Sequence, residues 1–543
     1  MNVSLGSSTP GASAPVSLPR QPWVLLVCAD LGFNAAGPRR ISAATLNEFL
    51  ATGSVTVSGN VETGLPDDIA PFHIEYRITD VKDFSPASLA EKMELFNDLK
   101  RASVLLDEIS RKKITADDGV RTILSLNLPQ SIIRQLGTVK PKSGVLSRGK
   151  APGVSAASAS KIDSILSMMD VDSGAETPAA APAQPADFVA AFTENAAGDF
   201  SSAAILRCRE SVDRLLANLG ATVTRQPFFR AAAGSWNALK TLLKIAGRNR
   251  DIHIFVHSAP FDAAQRHFSD ALGVCASQSA VPDIVVWDYP VSTDTATMQQ
   301  LEHIGEQADR FKTVVITSLD YHDDLYTKII EREPLKTVFE QPAYIPLRRL
   351  RESGAARCLS LCAPDAVVQR NRKDMDVAVT GGWLLAVQWM TSYIDHAAPF
   401  HLQNSSITAL DAFGFPQIPG EVALDAHRNG LTVLRPGGVT APRVLLGDES
   451  SPYGSLLFNL AVNRTARLAA EWIGGQDRML FCEAAAPVLE EFLRIQLAPY
   501  DILSSSGAVS VAVVDQQSLQ ITVDSTGTVA GFPVKFQFSF SYR

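Results

Sequence analysis

The sequence predicts an α/β fold with α+β parts, in which mixed sheets are flanked by helices. Three observations predict it. First, strand-like and helix-like segments alternate in the middle of the chain. Asp251–Val256, Pro282–Trp287 and Thr313–Thr317 read as buried strands, and Pro260–Leu272 and Thr295–Ala308 as the helices between them. Helices placed between such strands imply parallel pairing through right-handed crossovers. Second, Pro22–Phe33 contains an unbroken apolar run suited to a strand covered on both faces. Third, the chain closes on strand-period sequence alone, at Val509–Val514, Leu519–Val523 and Phe532–Tyr542.

A length of 543 residues exceeds one core and predicts two to four domains. The formal net charge of −8 favours solubility and argues against a surface that coats nucleic acid. No apolar run approaches the ~18 residues of a membrane span, so no membrane insertion is expected. The first twenty residues are rich in Ser, Pro, Ala and Gly and lack the apolar centre of a secretory signal. Six cysteines are scattered, several inside apolar runs such as Leu26-Val27-Cys28. That usage predicts reduced, buried thiols and a cytoplasmic location. Cys358 and Cys362 are closely spaced, but no second Cys/His pair lies near them, so no metal is expected.

Taken in order, residues 1–20 read as a disordered tail and 21–137 as a first domain. After the opening strand come a helix near Ala43–Leu50 and two alternating segments, Ser54–Val61 and Phe72–Thr79. In the second of these Phe72, Ile74, Tyr76 and Ile78 share one strand face. Asp83 or Ser85 can cap a following helix, with Pro86 suited to its first turn. That helix is expected over about Ala87–Lys113, with shorter ones at about Asp117–Leu126 and Pro129–Leu136. Residues 138–186 form a linker too poor in bulky apolar groups to offset the cost of ordering. Within it, residues 161–170 place Ile162, Ile165, Leu166 and Met169 on one face of a short helix. Such a helix is marginal alone. It either docks on its own chain or serves as a tethered peptide for a partner.

Residues 187–500 form the larger α/β region. Besides the alternating segments it contains helices at Asp187–Leu219, Ser235–Ala246, Gly382–His396, Ser455–Trp472 and Ala484–Leu497. Residues 501–543 supply the closing strands. In the last, Phe532, Val534, Phe536, Phe538, Phe540 and Tyr542 share one face, and Lys535, Gln537, Ser539 and Ser541 the other. A strand this aromatic is an aggregation hazard unless paired. It either completes the chain's own sheet or adds to a neighbour's.

No catalytic constellation emerges. Gly144–Ala151 approaches a phosphate-binding loop, but Ala151 stands where a Mg²⁺-binding hydroxyl is required and no strand precedes it. His253 and His257 share a strand face without a carboxylate or thiol at ligand spacing. Tyr321-His322-Asp323-Asp324 follows a strand end, where α/β sites often lie, yet also suits a loop and helix cap. An α/β enzyme acting on a nucleotide or phosphorylated substrate would use the strand ends near Ser258, Asp288 and Asp320.

Several motifs, in order, resemble the contractile sheath of type VI secretion, with its small and large subunits fused in one chain. Residues 22–136 resemble the small subunit through Leu25–Asp30, Pro71–Thr79 and Asp83-Phe84-Ser85-Pro86 leading into a long charged helix. Residues 160–500 resemble the large subunit at Ser235–Leu239, Leu350–Arg357, Gly381-Gly382-Trp383, Tyr393–His396, Phe413–Pro416, Asn459 and Arg464–Trp472. The chain departs from that family at Cys362-Ala363-Pro364 and Thr380–Trp383.

The resemblance implies a sheath-protomer-like fold and a structural, non-enzymatic role without cofactors. It implies a helical homopolymer around an inner tube, attached to a baseplate, that fires by shortening. Terminal strands would be available for inter-subunit strand exchange, here Phe532–Tyr542 with a partner near 54–61. By the same resemblance Ile162, Ile165, Leu166 and Met169 match a handle for a Clp-type recycling ATPase. Arg467, Glu471, Gln476 and Asp477 lie where inner-tube contacts are expected. A static sheath-like tube or a baseplate adaptor is the alternative within that fold.

Overall fold

The computed structural model describes residues 21–33, 37–52, 55–62, 71–85, 88–89, 92–126, 128–129, 132, 202–363, 366–368, 377–396, 399–400, 402, 413–414, 418–435, 441–446, 451–474, 485–497, 509–515, 518–529 and 532–541. The short helix expected at 161–170 and the phosphate-loop-like segment 144–151 lie outside these residues. The fold is α/β, with mixed sheets flanked by helices. Two compact units divide the described residues. The first takes those up to Val61, those of Phe72–Ser88 and those from Val223 onward; the second takes those of Glu62–Pro71 and Leu89–Thr222.

The first unit opens with β1 (Trp23–Ala29), β2 (Arg39–Ile41), α1 (Leu46–Thr52), β3 (Thr56–Val61) and β4 (Phe72–Arg77). In the second unit α2 (Glu94–Ser110), α3 (Ala116–Leu124) and the part of α4 (Ser202–Arg225) up to Thr222 are helical. Thr115 caps α3 by accepting from Asp118 N. Asp107 on α2 accepts from Arg209 on α4, and Ser103 donates to Asp213.

The first unit resumes with α5 (Pro227–Ala246), β5 (Ile252–Ser258), α6 (Phe261–Arg266), α7 (Phe268–Ser277), β6 (Ile284–Val291), α8 (Thr295–Phe311) and β7 (Val314–Leu319). It continues with α9 (Asp324–Ile330), α10 (Leu335–Glu340), α11 (Ile345–Glu352), β8 (Leu359–Ala363), β9 (Ala366–Val368), β10 (Val377–Val379) and α12 (Gly381–His396). Then follow β11 (Phe413–Gly414), α13 (Gly420–Arg428), β12 (Leu431–Val433), α14 (Leu456–Gly474), α15 (Ala485–Leu497), β13 (Val509–Asp515), β14 (Ser518–Val529) and β15 (Phe532–Ser541).

The main sheet has seven strands in the order β12-β8-β7-β6-β1-β5-β2, all parallel except β2. β1 is fully buried between β5 and β6, as its continuous apolar sequence requires. The boundary expected between residues 137 and 187 therefore does not separate two sheets: the opening strand is a central strand of the later region's sheet. On one sheet face Val24, Leu26 and Cys28 join Phe268, Leu301 and Leu350 in the core. On the other, Trp23 meets Trp389 of α12 edge to face at 5.2 Å and Phe400 at 5.9 Å.

Local sequence explains the element ends. Asp294 caps α8 through Ala296 N and Thr297 N, which with the Ser292 and Thr297 hydroxyls holds its carboxyl down at about 2. Lys312 closes α8 in a left-handed conformation, φ 53°. The helix expected over Pro260–Leu272 is broken at His267 into α6 and α7. Of the two caps the sequence offers, Ser85 accepts from Ser88 N at 3.3 Å, whereas Asp80 caps a 3₁₀ turn over Val81–Phe84 and Asp83 accepts from Thr79 N at 2.7 Å and Asp80 N at 3.0 Å. Asp83 thereby ties off the end of β4.

Candidate functional site

The closing strands form a separate antiparallel sheet, ordered β13-β14-β15. Its alternation sorts side chains strictly. Val509, Val511 and Val513 pair with Val523, Ile521 and Leu519, which pair in turn with Phe536, Phe538 and Phe540. Paired residues share a face, so these nine make one apolar face. At one end it is covered, with Val509, Val523 and Phe536 buried and Phe458 of α14 against Phe536 at 6.0 Å. At the other end Phe538 and Phe540 are half-buried and Val513 is 37% exposed. Lys535, Gln537 and Ser539 lie on the opposite face and are exposed, with Lys535 paired to Asp524 at 2.9 Å.

One hydrogen bond fixes which backbone groups face outward. Val511 N donates to Glu490 Oε2 of α15 at 3.3 Å, not into the ladder. Residues of an antiparallel strand alternate between turning both backbone groups toward a partner and turning both away. Ser510 and Ala512 therefore bond to Thr522 and Gln520, and Leu519, Ile521 and Val523 bond to Phe540, Phe538 and Phe536. The outward N–H and C=O groups of β15 are then those of Lys535, Gln537 and Ser539. Among the described residues no strand pairs with the outer edge of β15 or of β13. The terminal strand is thus paired to its own chain through β14 and open on its other side. Tyr542 lies outside the described residues.

The segment near 54–61 is β3, paired with β4 and packed on α5, where Phe228 lies so close to Gly59 that an added Cβ would meet it at 2.5 Å.

The remaining sequence-predicted residues fall elsewhere. Arg467 is 7% exposed. It donates to Asp283, to Pro282 O at 3.1 Å and to Lys312 O at 3.2 Å. Its guanidinium serves a fully buried carboxylate. Glu471 is half-exposed on the same helix. Ile162, Ile165, Leu166, Met169, Gln476 and Asp477 lie outside the described residues.

The strand ends that an enzyme would use are engaged internally. Ser258 Oγ donates to Phe33 O at 2.5 Å and accepts from Leu31 N at 3.2 Å. Asp288 accepts from Ser235 and, at 3.0 Å, from Thr380 Oγ1, and burial pushes its carboxyl above the usual range. Asp320 accepts from His322 N, and Asp323 caps α9 while bonding Thr293. His257 is buried with neither ring nitrogen hydrogen-bonded, and burial together with the nearby His267 lowers its pKa. Among the described residues no group of three or more His, Cys, Asp or Glu could hold a metal ion. Nor is any described helix long and apolar enough to cross a membrane.

The sequence singled out the phenylalanine strand but missed the feature that orients it. Glu490 carries no local signal for capping Val511, because that contact arises only when α15 packs beside β13.

No family model matches the sequence, and no curated protein matches it. Among solved structures, a chain from the six-fold symmetrised cryo-EM structure of the anti-feeding prophage baseplate superposes with a TM-score of 0.34 at 10% identity. The match covers 56% of this chain and 76% of that one.

Proposed function

We propose that this chain is a structural protein that polymerises into a helical, contractile sheath around an inner tube, in a type VI-secretion-like injection system. The observation that carries the reading is the open outer edge of β15, which presents Lys535, Gln537 and Ser539 beside a partly uncovered apolar face. Such an edge is a template for main-chain pairing with another chain. The ordered sheath-like motifs support the same reading. So does the placement of β1 inside the main sheet, which joins the opening strand of the small-subunit-like segment to strands of the large-subunit-like one. In this reading the chain is not an enzyme: Ser258, Asp288 and Asp320 spend their polar groups on holding loops and helices.

The partners are other copies of the chain, an inner tube protein and a baseplate, and the compartment is the cytoplasm. A Clp-type ATPase acting on residues 161–170 is the proposed recycling partner. Contraction is a passage between two packings of one protomer and requires no chemistry in the chain itself. Electron microscopy of the purified protein tests the proposal. Ribbed hollow tubes in two lengths and diameters are expected. Tubes of a single length favour the static alternative, and small monodisperse particles at high concentration contradict the sheath.

A further inference from the structure

At two places ahead of the main-sheet strands, two cations share one carboxylate. Arg464 and Arg467 meet on Asp283, just before β6. Lys312 and Arg357 meet on Asp309, before β7, at 3.0 and 2.7 Å. A third pair of cations, Arg351 and Arg443, is arranged differently. Among the described residues Arg351, at the end of α11, forms no ion pair, and its Nε is buried without an acceptor. Burial, and then the charge of Arg443, lower its pKa below the usual arginine value, against an opposing pull from the exposed Glu352. An uncompensated cation that is partly withdrawn from water is costly unless an anion meets it.

The geometry leaves Arg351 prepared for one. Its guanidinium carbon lies 4.8 Å from the centroid of the Phe339 ring on α10. A guanidinium stacked by its face keeps its N–H groups in its own plane, directed away from the stack. Phe339 is itself a buried member of the core, so the fork is oriented before a ligand arrives, which lowers the ordering cost of binding. Arg351 as a whole is half-buried, within reach of ions in solution. Arg443 is 2% exposed and fixed by its backbone: its carbonyl accepts from Ser360 Oγ of β8 at 2.7 Å and from Thr432 Oγ1 of β12 at 3.0 Å. Its guanidinium lies against Gly454. A single carboxylate compensates one of two like charges. A phosphate group carries about two at neutral pH, with oxygens that accept the arginine fork in pairs.

We propose that Arg351 and Arg443 form a binding site for a phosphate-class oxyanion, the fork of Arg351 gripping the ion and Arg443 contributing its charge. The bound ion offsets the repulsion between the two guanidiniums and ties the end of α11 to the segment 441–446 beside the start of β8. Ser258, Asp288 and Asp320 lie at the other ends of their strands, so the site is separate from them, and it does not depend on the chain forming a polymer.

Equilibrium dialysis of the full-length protein against radiolabelled inorganic phosphate, in chloride buffer of constant ionic strength, tests it. Saturable binding of one phosphate per chain is expected. Arg351→Met keeps an apolar stem on Phe339 and removes the fork, and should weaken binding about tenfold or more. Should that variant not fold, Arg351→Lys carries the test: it keeps the charge but lacks the planar fork, and binding equal to that of the wild type overturns the proposal. Adenosine monophosphate separates the sources of the ligand. If it displaces phosphate, the site takes phosphate monoesters; if it does not, the site takes the free ion, and either result upholds the site. Absence of saturable binding to the wild type overturns the proposal, as does binding that Arg351→Met leaves unchanged. Asp448 and Glu449 follow Arg443 in the sequence and lie outside the described residues. If phosphate binds only after Asp448→Asn and Glu449→Gln are introduced together, the chain supplies its own counter-charge and the proposal fails.

Discussion

The guanidinium carbon of Arg464 lies 3.9 Å from the centroid of the Trp23 ring. The same guanidinium donates to Asp283 at 2.8 and 2.9 Å and to Gln21 O at 2.8 Å, while Asp283 Oδ2 accepts from Val24 N at 2.9 Å. A late helix, the start of β6 and the opening strand thus meet on one buried carboxylate. The clasp locks β1 into the centre of a sheet whose other strands come from far along the chain. Replacing Arg464 with Ala uncovers one side of Asp283 and removes the stacking on Trp23, leaving Arg467 as the remaining cation. Breaking such a buried pair costs about 3–5 kcal/mol. The urea midpoint of Arg464→Ala should fall accordingly, and Arg464→Lys should recover little, since an ammonium lacks the planar fork.

Asp288 predicts a pH dependence of the opposite sense to an ordinary surface carboxylate. Burial raises its folded pKa, opposed by the hydrogen bonds from Ser235 and Thr380. A raised folded value means that its contribution is fully present below the unfolded carboxylate range, about 4, and is lost as pH rises through the folded value. Asp288→Asn should therefore raise the thermal midpoint at pH 7–8, with the advantage vanishing toward pH 4. An advantage that persists unchanged at pH 4 would assign the effect to packing.

His257 titrates the other way. Its folded pKa is lowered by burial and by His267. Stability from keeping it neutral is present above about 6.5 and is lost as pH falls through the folded value. His257→Leu should flatten the fall in stability between pH 7 and 5, measured by urea titration at each pH.

The approach of α8 to the 3₁₀ turn at Gly354–Cys358 requires glycine at 305. A Cβ there would meet Ala355 O at 2.8 Å and Leu359 Cδ1 at 2.9 Å. Gly305→Val should cost about 1–3 kcal/mol by overpacking, read from the denaturation midpoint. An unchanged midpoint would mean that the turn yields freely.

What was legible in the sequence follows from the range of the forces involved. The unbroken run Trp23–Ala29 announced a strand buried on both faces, and it is one. The period-two run of phenylalanines announced β15 with the correct inward set, of which Val534 and Phe536 are buried. Membership of sheets was not legible. Nothing local in β1 says that it lies between β5 and β6, because the clasp on Asp283 is assembled by Arg464 and Arg467 from another region. For the same reason the pairing of Arg467 was not legible: a charged residue late in an amphipathic helix carries no sign of the buried carboxylate that claims it. The sequence offers Asp83 and Ser85 alike as caps; Ser85 accepts from Ser88 N, while the Asp83 carboxylate turns back to Thr79 and Asp80, a choice decided by the end of β4.

In the proposed sheath the outer edge of β15 builds the tube. Removing the whole strand would also remove Val534 and Phe536 from the core. Gln537→Pro is the sharper probe, because among the described residues no strand faces its outward N–H and proline is tolerated on strand edges. Electron microscopy of wild-type and Gln537→Pro protein, side by side with their thermal midpoints, provides the direct measurement. Ribbed tubes are expected from the wild type, and folded protomers without tubes from the variant at a nearly unchanged midpoint. Tubes of normal appearance from Gln537→Pro would contradict that role of the edge.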